Sequence, residues 1–273
     1  MLPELSTTLN QMLPINLNTK KAVVSGVSSG IGAAIAAALA EAGCDVAGCG
    51  RRPSDSEGAC SFTDSVESKG RRGFYIEADL ASKDAPRAFI DQATSALGGI
   101  DILISNAGRN VFEGAADCTE AAWDECMNLD LAAHWRLAQA ARAHLGKATP
   151  GVIIIIGSNH AWNSIPGCFP YNVAKAGLLG MVQSLAIEWG PGIRTVGIAP
   201  GFIDTAGNQT WFDSFPDPRA ERARTEARHP VGRLGTVEEI GALCAFLASP
   251  MAGFISGTTL CVDGGRSALM QDS

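Results

Sequence analysis

The stretch KAVVSGVSSGIGAAIAAALAEAG, residues 21–43, decides the fold. It opens on a short β-branched run, crosses Gly26, Gly30 and Gly32, and continues as an Ala-rich segment stopped by Gly43. β-Branched residues suit a strand, Ala is the best helix former, and Gly ends a helix. A glycine-rich turn from strand to helix lets the backbone approach an anion, which the free N–H groups at the helix start then hold. The spacing by itself is weak evidence. Its place at the first strand-to-helix turn of an alternating chain makes it strong. Gly26, Ser28, Ser29, Gly30, Ile31 and Gly32 are therefore candidates for holding the pyrophosphate of a dinucleotide.

The same alternation runs outward along the chain. Strands are expected at 21–26, 45–50, 73–79, 100–108, 151–158, 193–201 and 258–265, and helices at 31–43, 85–99, 119–145, 171–189 and 236–249. Several of the strand segments are near-continuous Val/Ile/Leu runs, as in strands covered on both faces. The expected fold class is α/β: a single-domain, Rossmann-type, doubly wound parallel sheet of about seven strands with helices on both faces. Residues 1–18 are expected to form an N-terminal arm and 19–273 one dinucleotide-binding catalytic domain. Two segments break the rhythm and are expected to be irregular: the polar 51–72, and 202–230, expected to be a substrate lid.

The bulk properties fit that picture. With 273 residues, 46% hydrophobic, 18% charged and 31 glycines, the composition is that of a compact globular protein. Twenty-one Lys+Arg against 28 Asp+Glu give a net charge of −7, a poor match for nucleic acid or anionic membranes. The expected partner is a small-molecule substrate, with no nucleic acid and no membrane. The eight cysteines form no C-x-x-C pair and have no His cluster beside them, so no metal site is expected. They read as reduced thiols of a cytoplasmic chain. The first twenty residues lack a basic, then apolar, leader pattern.

The end of the second strand addresses the cofactor. A carboxylate there would bind the adenosine ribose hydroxyls, but the chain reads Gly50, Arg51, Arg52. Two guanidiniums suit a 2′-phosphate instead, so NADP(H) is favoured, with NAD possible.

Residues 152–177, VIIIIGSNHAWNSIPGCFPYNVAKAG, hold the chemistry. Tyr171 and Lys175 are four apart and share one face of a helix. A phenol titrates near ~10, and a neighbouring ammonium lowers that value, which lets a Tyr exchange protons near neutral pH. Ser158 follows the fifth strand, at the carboxyl edge of the sheet where ligands bind.

With these features together, the chain resembles the short-chain dehydrogenase/reductase family from about residue 20 to 265. SGVSSGIG (25–32) is similar to the family's cofactor motif, although Ser25 stands where Thr is usual. EADL (77–80) places Asp79 and Leu80 at the adenine. SNAG (105–108) stands for N-N-A-G, with Ser105 for the first Asn, and places Asn106, Ala107 and Gly108 at the cofactor ribose. APGFIDT (199–205) resembles the nicotinamide-packing motif, implicating Pro200, Gly201, Ile203 and Thr205. MNLD (127–130) resembles the motif of the catalytic Asn, here Asn128.

The resemblance implies that Tyr171 donates or accepts the proton and Ser158 polarises the substrate oxygen. Lys175 grips the nicotinamide ribose and lowers the Tyr171 pKa, and Asn128 holds a water in the proton relay. It also implies a homo-oligomer, a tetramer or dimer. The organic step is the cofactor's.

The substrate pocket is expected to be walled by Asn110, Ser158, His160, Trp162, Tyr171 and Trp211. Hydrogen-bonding groups beside flat aromatics suit a polyhydroxylated substrate. S-x-H at 158–160 also resembles the sugar dehydrogenases of the family. His160 and Trp162 have structural readings too, as a strand-end cap and as lid packing. The alternative substrate is a 3-oxoacyl or other small ketone. A non-catalytic cofactor-binding protein is a third reading, disfavoured because Ser158, Tyr171 and Lys175 are all present.

Overall fold

In the computed structural model, which describes residues 15–145 and 150–269, the strands are β1 (Lys21–Ser25), β2 (Asp45–Gly50), β3 (Gly73–Glu77), β4 (Ile102–Ser105), β5 (Gly151–Ile156), β6 (Ile193–Pro200) and β7 (Thr259–Val262). They form one sheet in the order β3-β2-β1-β4-β5-β6-β7, and every neighbouring pair is parallel. The order reverses between β1 and β4. At such a switch point the loops leaving the two strands diverge and open a crevice at their carboxyl ends.

The strand residues divide by parity, as a pleated sheet requires. Val152, Ile154 and Ile156 join one apolar cluster, and Ile153 and Ile155 join the other. Likewise Ala22 and Val24 face the first cluster and Val23 the second. Helices α1 (Gly30–Glu41), α2 (Glu57–Glu67) and α9 (Val237–Ala248) cover the first face, through residues such as Ile35, Phe62 and Ile240. Helices α3 (Ala85–Leu97), α5 (Ala133–Ala141) and α6 (Tyr171–Trp189) cover the second, through Phe89, Leu137 and Leu178. Full burial of each such side chain contributes about 1.5–3 kcal/mol, which makes these two layers the main stabilising element. Small residues bring α1 and α9 together: a Cβ on Gly241 would come within 2.8 Å of the Ala34 carbonyl oxygen.

Three expectations from the sequence are corrected. Residues 51–72 are not irregular throughout, because α2 lies within them. Its polar composition hides a sparse apolar stripe, Ala59, Phe62 and Val66, at helical spacing and buried. Residues 202–230 carry two short helices, α7 (Ala206–Asp213) and α8 (Pro218–Ala227). Each begins at a side-chain cap: the Thr205 hydroxyl accepts from the Asn208 amide, and Asp217 accepts from the Ala220 amide. The single helix expected over 119–145 is α4 (Glu120–Met127) and α5, joined through a π-helical turn, Asn128–Ala132. The extra residue per turn rotates the side chains that follow, and such bulges gather at functional sites. Of the expected N-terminal arm, residues 1–14 lie outside the described residues. Leu17 is buried, and its amide donates to Ala42.

Candidate active site

The glycine turn is built as an anion cradle. Gly26 and Gly30 adopt φ of 77° and 58°, a region open to glycine and costly for other residues. The amides of Gly26 and Val27 both donate to Cys49, which ties the turn to the end of β2. Ser29 caps α1 by position only, with no side-chain bond to the helix amides, and no acidic residue lies in the first turn. Those amides are free to meet an anion. A cleft of about 410 Å³ is lined by Ser28, Ser29, Gly30 and Thr205, together with residues of α1, α2 and α9. None of Ser158, Tyr171 and Lys175 lines it.

The SNAG segment is clamped to this turn. The Ser25 hydroxyl, standing where the resemblance expects Thr, accepts from the amides of Asn106 and Ala107 at 2.9 and 3.0 Å. The Asn106 side chain donates to the Ser25 carbonyl at 2.9 Å and to the Gly26 carbonyl at 3.3 Å. Ser105 is buried and bonds His134 Nδ1 at 2.7 Å, joining β4 to α5. Burial, then the Lys175 charge, push the His134 pKa well below its usual range, so this imidazole stays neutral.

The remaining cofactor candidates border the carboxyl edge of the sheet. Pro200 closes β6, and the Gly201 amide donates to Val262. Ile203 is buried, and the Thr205 methyl lies 3.6 Å from where a Cβ on Gly30 would stand. Leu80 is buried, while Asp79 is exposed and accepts from the Ala81 amide. Arg51 and Arg52 are exposed just past β2. The positive-φ turn, the uncapped α1 start and this ring of residues fit a dinucleotide.

The residues expected to transfer the proton come from two elements. Ser158 follows β5, is 7% exposed, and its Oγ accepts from the His160 amide at 3.2 Å. Tyr171 and Lys175 lie in the first turns of α6, at 9% and 3% exposure, with Lys175 Nζ 5.3 Å from the phenol ring centroid. Burial pushes the Tyr171 pKa up, while Lys175 and the Ser158 hydroxyl pull it down. The net direction in the protein alone is upward, not the lowering expected from the Tyr–Lys spacing, because desolvation outweighs the ammonium. Burial likewise acts to lower the Lys175 pKa, but Tyr171 and Asp130 together hold it above its ordinary value.

Two of these neighbours were not legible as site residues. Asp130, in the π-helical turn, is fully buried and lies 3.3 Å from Lys175 Nζ. Its signal in the sequence is a carboxylate inside the apolar run NLDLAA, which must find a partner if the run is buried. Asn128, expected in the proton relay, is half-buried and accepts from the Arg136 guanidinium at 3.2 Å. The structure thus brings Asp130, two residues on, to Lys175. Phe112 is the second missed residue: its ring meets the edges of Tyr171 and His160 at centroid distances of 5.3 and 6.0 Å.

Of the substrate candidates, the structure gathers Ser158, His160 and Tyr171. The rings of His160 and Tyr171 are 6.2 Å apart. Burial, and then Arg266, lower the His160 pKa and favour a neutral imidazole that can both donate and accept. Its Nδ1 is buried with no well-formed hydrogen bond, and the Asn163 backbone acts against the lowering. Asn110 and Trp162 are exposed, Trp162 at 47%. Trp211 packs with Phe202, Phe212 and Phe215 at 4.7–5.5 Å, and its ring contacts lie within that cluster.

A glycine cradle at the switch point of a parallel sheet, with a buried Tyr–Lys pair and a Ser across from it, defines a nucleotide-dependent oxidoreductase site. Residues 26–267 match the family model described as enoyl-(acyl carrier protein) reductase. The chain is 35% identical to 3beta-hydroxysteroid dehydrogenase 1 of Eggerthella lenta, over 92% of this chain and 95% of that one. It is 33% identical to 2-dehydro-3-deoxy-D-gluconate 5-dehydrogenase of Escherichia coli, over 92% and 96%. A solved short-chain dehydrogenase of Burkholderia cenocepacia in complex with NADP superposes with a TM-score of 0.83 at 36% identity, covering 92% of this chain and 99% of that one. The chain belongs to the short-chain dehydrogenase/reductase family and is an oxidoreductase of that family.

Proposed function

We propose that this protein interconverts a secondary alcohol and a carbonyl by hydride transfer with NADP(H), and that its substrate is a polar, polyhydroxylated molecule such as a sugar or polyol. The observation that carries the reading is the burial of Tyr171 and Lys175 side by side at the sheet edge, with Ser158 next to the phenol. In the oxidative direction the Tyr171 phenolate takes the substrate's hydroxyl proton, and Ser158 donates to the same oxygen. Lys175 stabilises the phenolate and reaches for the nicotinamide ribose. The bound nicotinamide supplies the hydride acceptor. The neutral His160 beside Tyr171 and the exposed Asn110 are the hydrogen-bonding groups that favour a hydroxylated substrate. The relative that acts on 2-dehydro-3-deoxy-D-gluconate supports this. The segment 202–230 serves as the substrate lid, and the protein is a cytoplasmic homo-oligomer.

A 3-oxoacyl thioester is the second reading, favoured by the description of the matching family model. Nicotinamide absorbance with a panel of aldoses, polyols and 3-oxoacyl thioesters decides between them. Aldose or polyol oxidation with NADP⁺ is expected. Silence toward every sugar and polyol, with efficient reduction of the thioesters, would overturn the assignment.

Arg51 and Arg52, exposed beyond β2 with no carboxylate in their place, support the choice of NADP(H). Arg51→Ala is expected to raise the KM for NADP(H) about tenfold or more, the worth of a charge-assisted hydrogen bond, and to leave that for NAD(H) nearly unchanged. An unchanged ratio of the two KM values would remove the clamp from the account.

A further inference from the structure

We propose that Asp130 is the positioning residue of the proton-transfer pair: its buried carboxylate holds the Lys175 ammonium and offsets part of that ammonium's attraction for the Tyr171 phenolate. The inference rests on the reading that Tyr171 exchanges the proton.

The carboxylate is built into the site from several directions. Oδ1 accepts the Arg109 amide at 3.1 Å and meets Lys175 Nζ at 3.3 Å. A Cβ on Gly108 would stand 2.6 Å from Oδ1 and 3.3 Å from Lys175 Nζ, so glycine at 108 leaves the space in which the two charges meet. Oδ2 is buried and has no well-formed hydrogen bond. Asp130 stands on the π-helical turn, where Asn128 is bonded to Arg136.

The groups facing Asp130 come from each packed element. Lys175 and Tyr171 stand on α6, and Arg109 follows β4, its side chain paired with Glu125. The Cys126 thiol on α4 faces the carboxylate, its pKa raised to about 12 by burial and then by Asp130. Burial raises the Asp130 pKa, against the pull of Lys175 and the Arg109 amide. Two buried charges of opposite sign add little net stability compared with an apolar pair of similar size. Their influence on a neighbouring ionisation is large by comparison, because little water screens it. Lys175 lowers the Tyr171 pKa and Asp130 raises it.

Alcohol oxidation needs the phenolate, so kcat/KM rises with pH through the Tyr171 pKa. Asp130→Asn removes the negative charge and leaves the ammonium's pull uncompensated. The Tyr171 pKa then falls, and the rising limb of the profile moves to lower pH by about one unit. Asp130→Ser, smaller and also neutral, must move it the same way and guards against a packing artefact of Asn. A cooperative thermal melt reports that each variant is folded. A limb that stays in place or moves to higher pH, in folded variants, overturns the inference. Tyr171→Phe keeps the two readings apart: if it stays active, the proton-transfer assignment itself has failed, whereas an inactive Tyr171→Phe with an unmoved Asp130→Asn limb defeats only the role of Asp130.

Discussion

Tyr171→Phe is expected to lower kcat by about 10²–10⁴-fold, the usual worth of a positioned general acid–base, while NADPH still binds. The reason is geometric. The Tyr171 ring packs edge-on against Phe112 and His160, and a Phe ring keeps both contacts. Lys175 and its carboxylate partner remain in place. Only the hydroxyl is lost, the group proposed to exchange the proton with the substrate oxygen. Steady-state rates with the best substrate of the panel, alongside fluorescence titration of NADPH, separate chemistry from binding. A variant that keeps a tenth of the wild-type kcat would show that another group carries the proton.

Gly32→Ala is expected to have the largest effect on the cofactor cradle. In an ordinary exposed helix the change would stabilise by about 1 kcal/mol through propensity. Here the new Cβ would stand 2.0 Å from the Gly26 carbonyl oxygen and 2.6 Å from Asn106 Nδ2. Neither can yield freely: Gly26 is tied through its amide to Cys49, and Asn106 holds the Ser25 and Gly26 carbonyls. Steric strain and the lost Asn106 bonds outweigh the propensity gain, for a net destabilisation of at least about 2 kcal/mol. The melting temperature should fall by about 5 °C or more, and NADPH affinity should fall with it because the turn proposed to receive the pyrophosphate is pushed out of shape. Wild-type melting and affinity together would count against the close-approach role of this glycine.

The parts of the site that were legible in the sequence are those carried by local rules. Ser25 kept hydrogen-bonding capacity where Thr was expected, and the structure shows its hydroxyl receiving two amides. Tyr171 and Lys175 at i, i+4 on a helix could be placed on one face from spacing alone. Helix α2 escaped notice because its apolar stripe is only Ala59, Phe62 and Val66, set among Ser, Asp and Glu. Asp130 and Phe112 escaped for a different reason. Their roles come from which residues the fold sets opposite them, and no local pattern encodes that. Asp130 is the sharper case, since it stands on a π-helical turn that the sequence pattern read as plain α-helix, and only the fold sets it against Lys175.

The sequence by itself determined the alternation of strands and helices, the glycine turn and the Ser–Tyr–Lys set, because periodicity, glycine's access to positive φ and one helical turn are short-range properties of the chain. Only the tertiary structure decided the electrostatics. Packing removes water from around Tyr171, Lys175 and Asp130, and in that dry space burial and two opposed charges, from α6 and the π-helical turn, set the direction in which the phenol titrates.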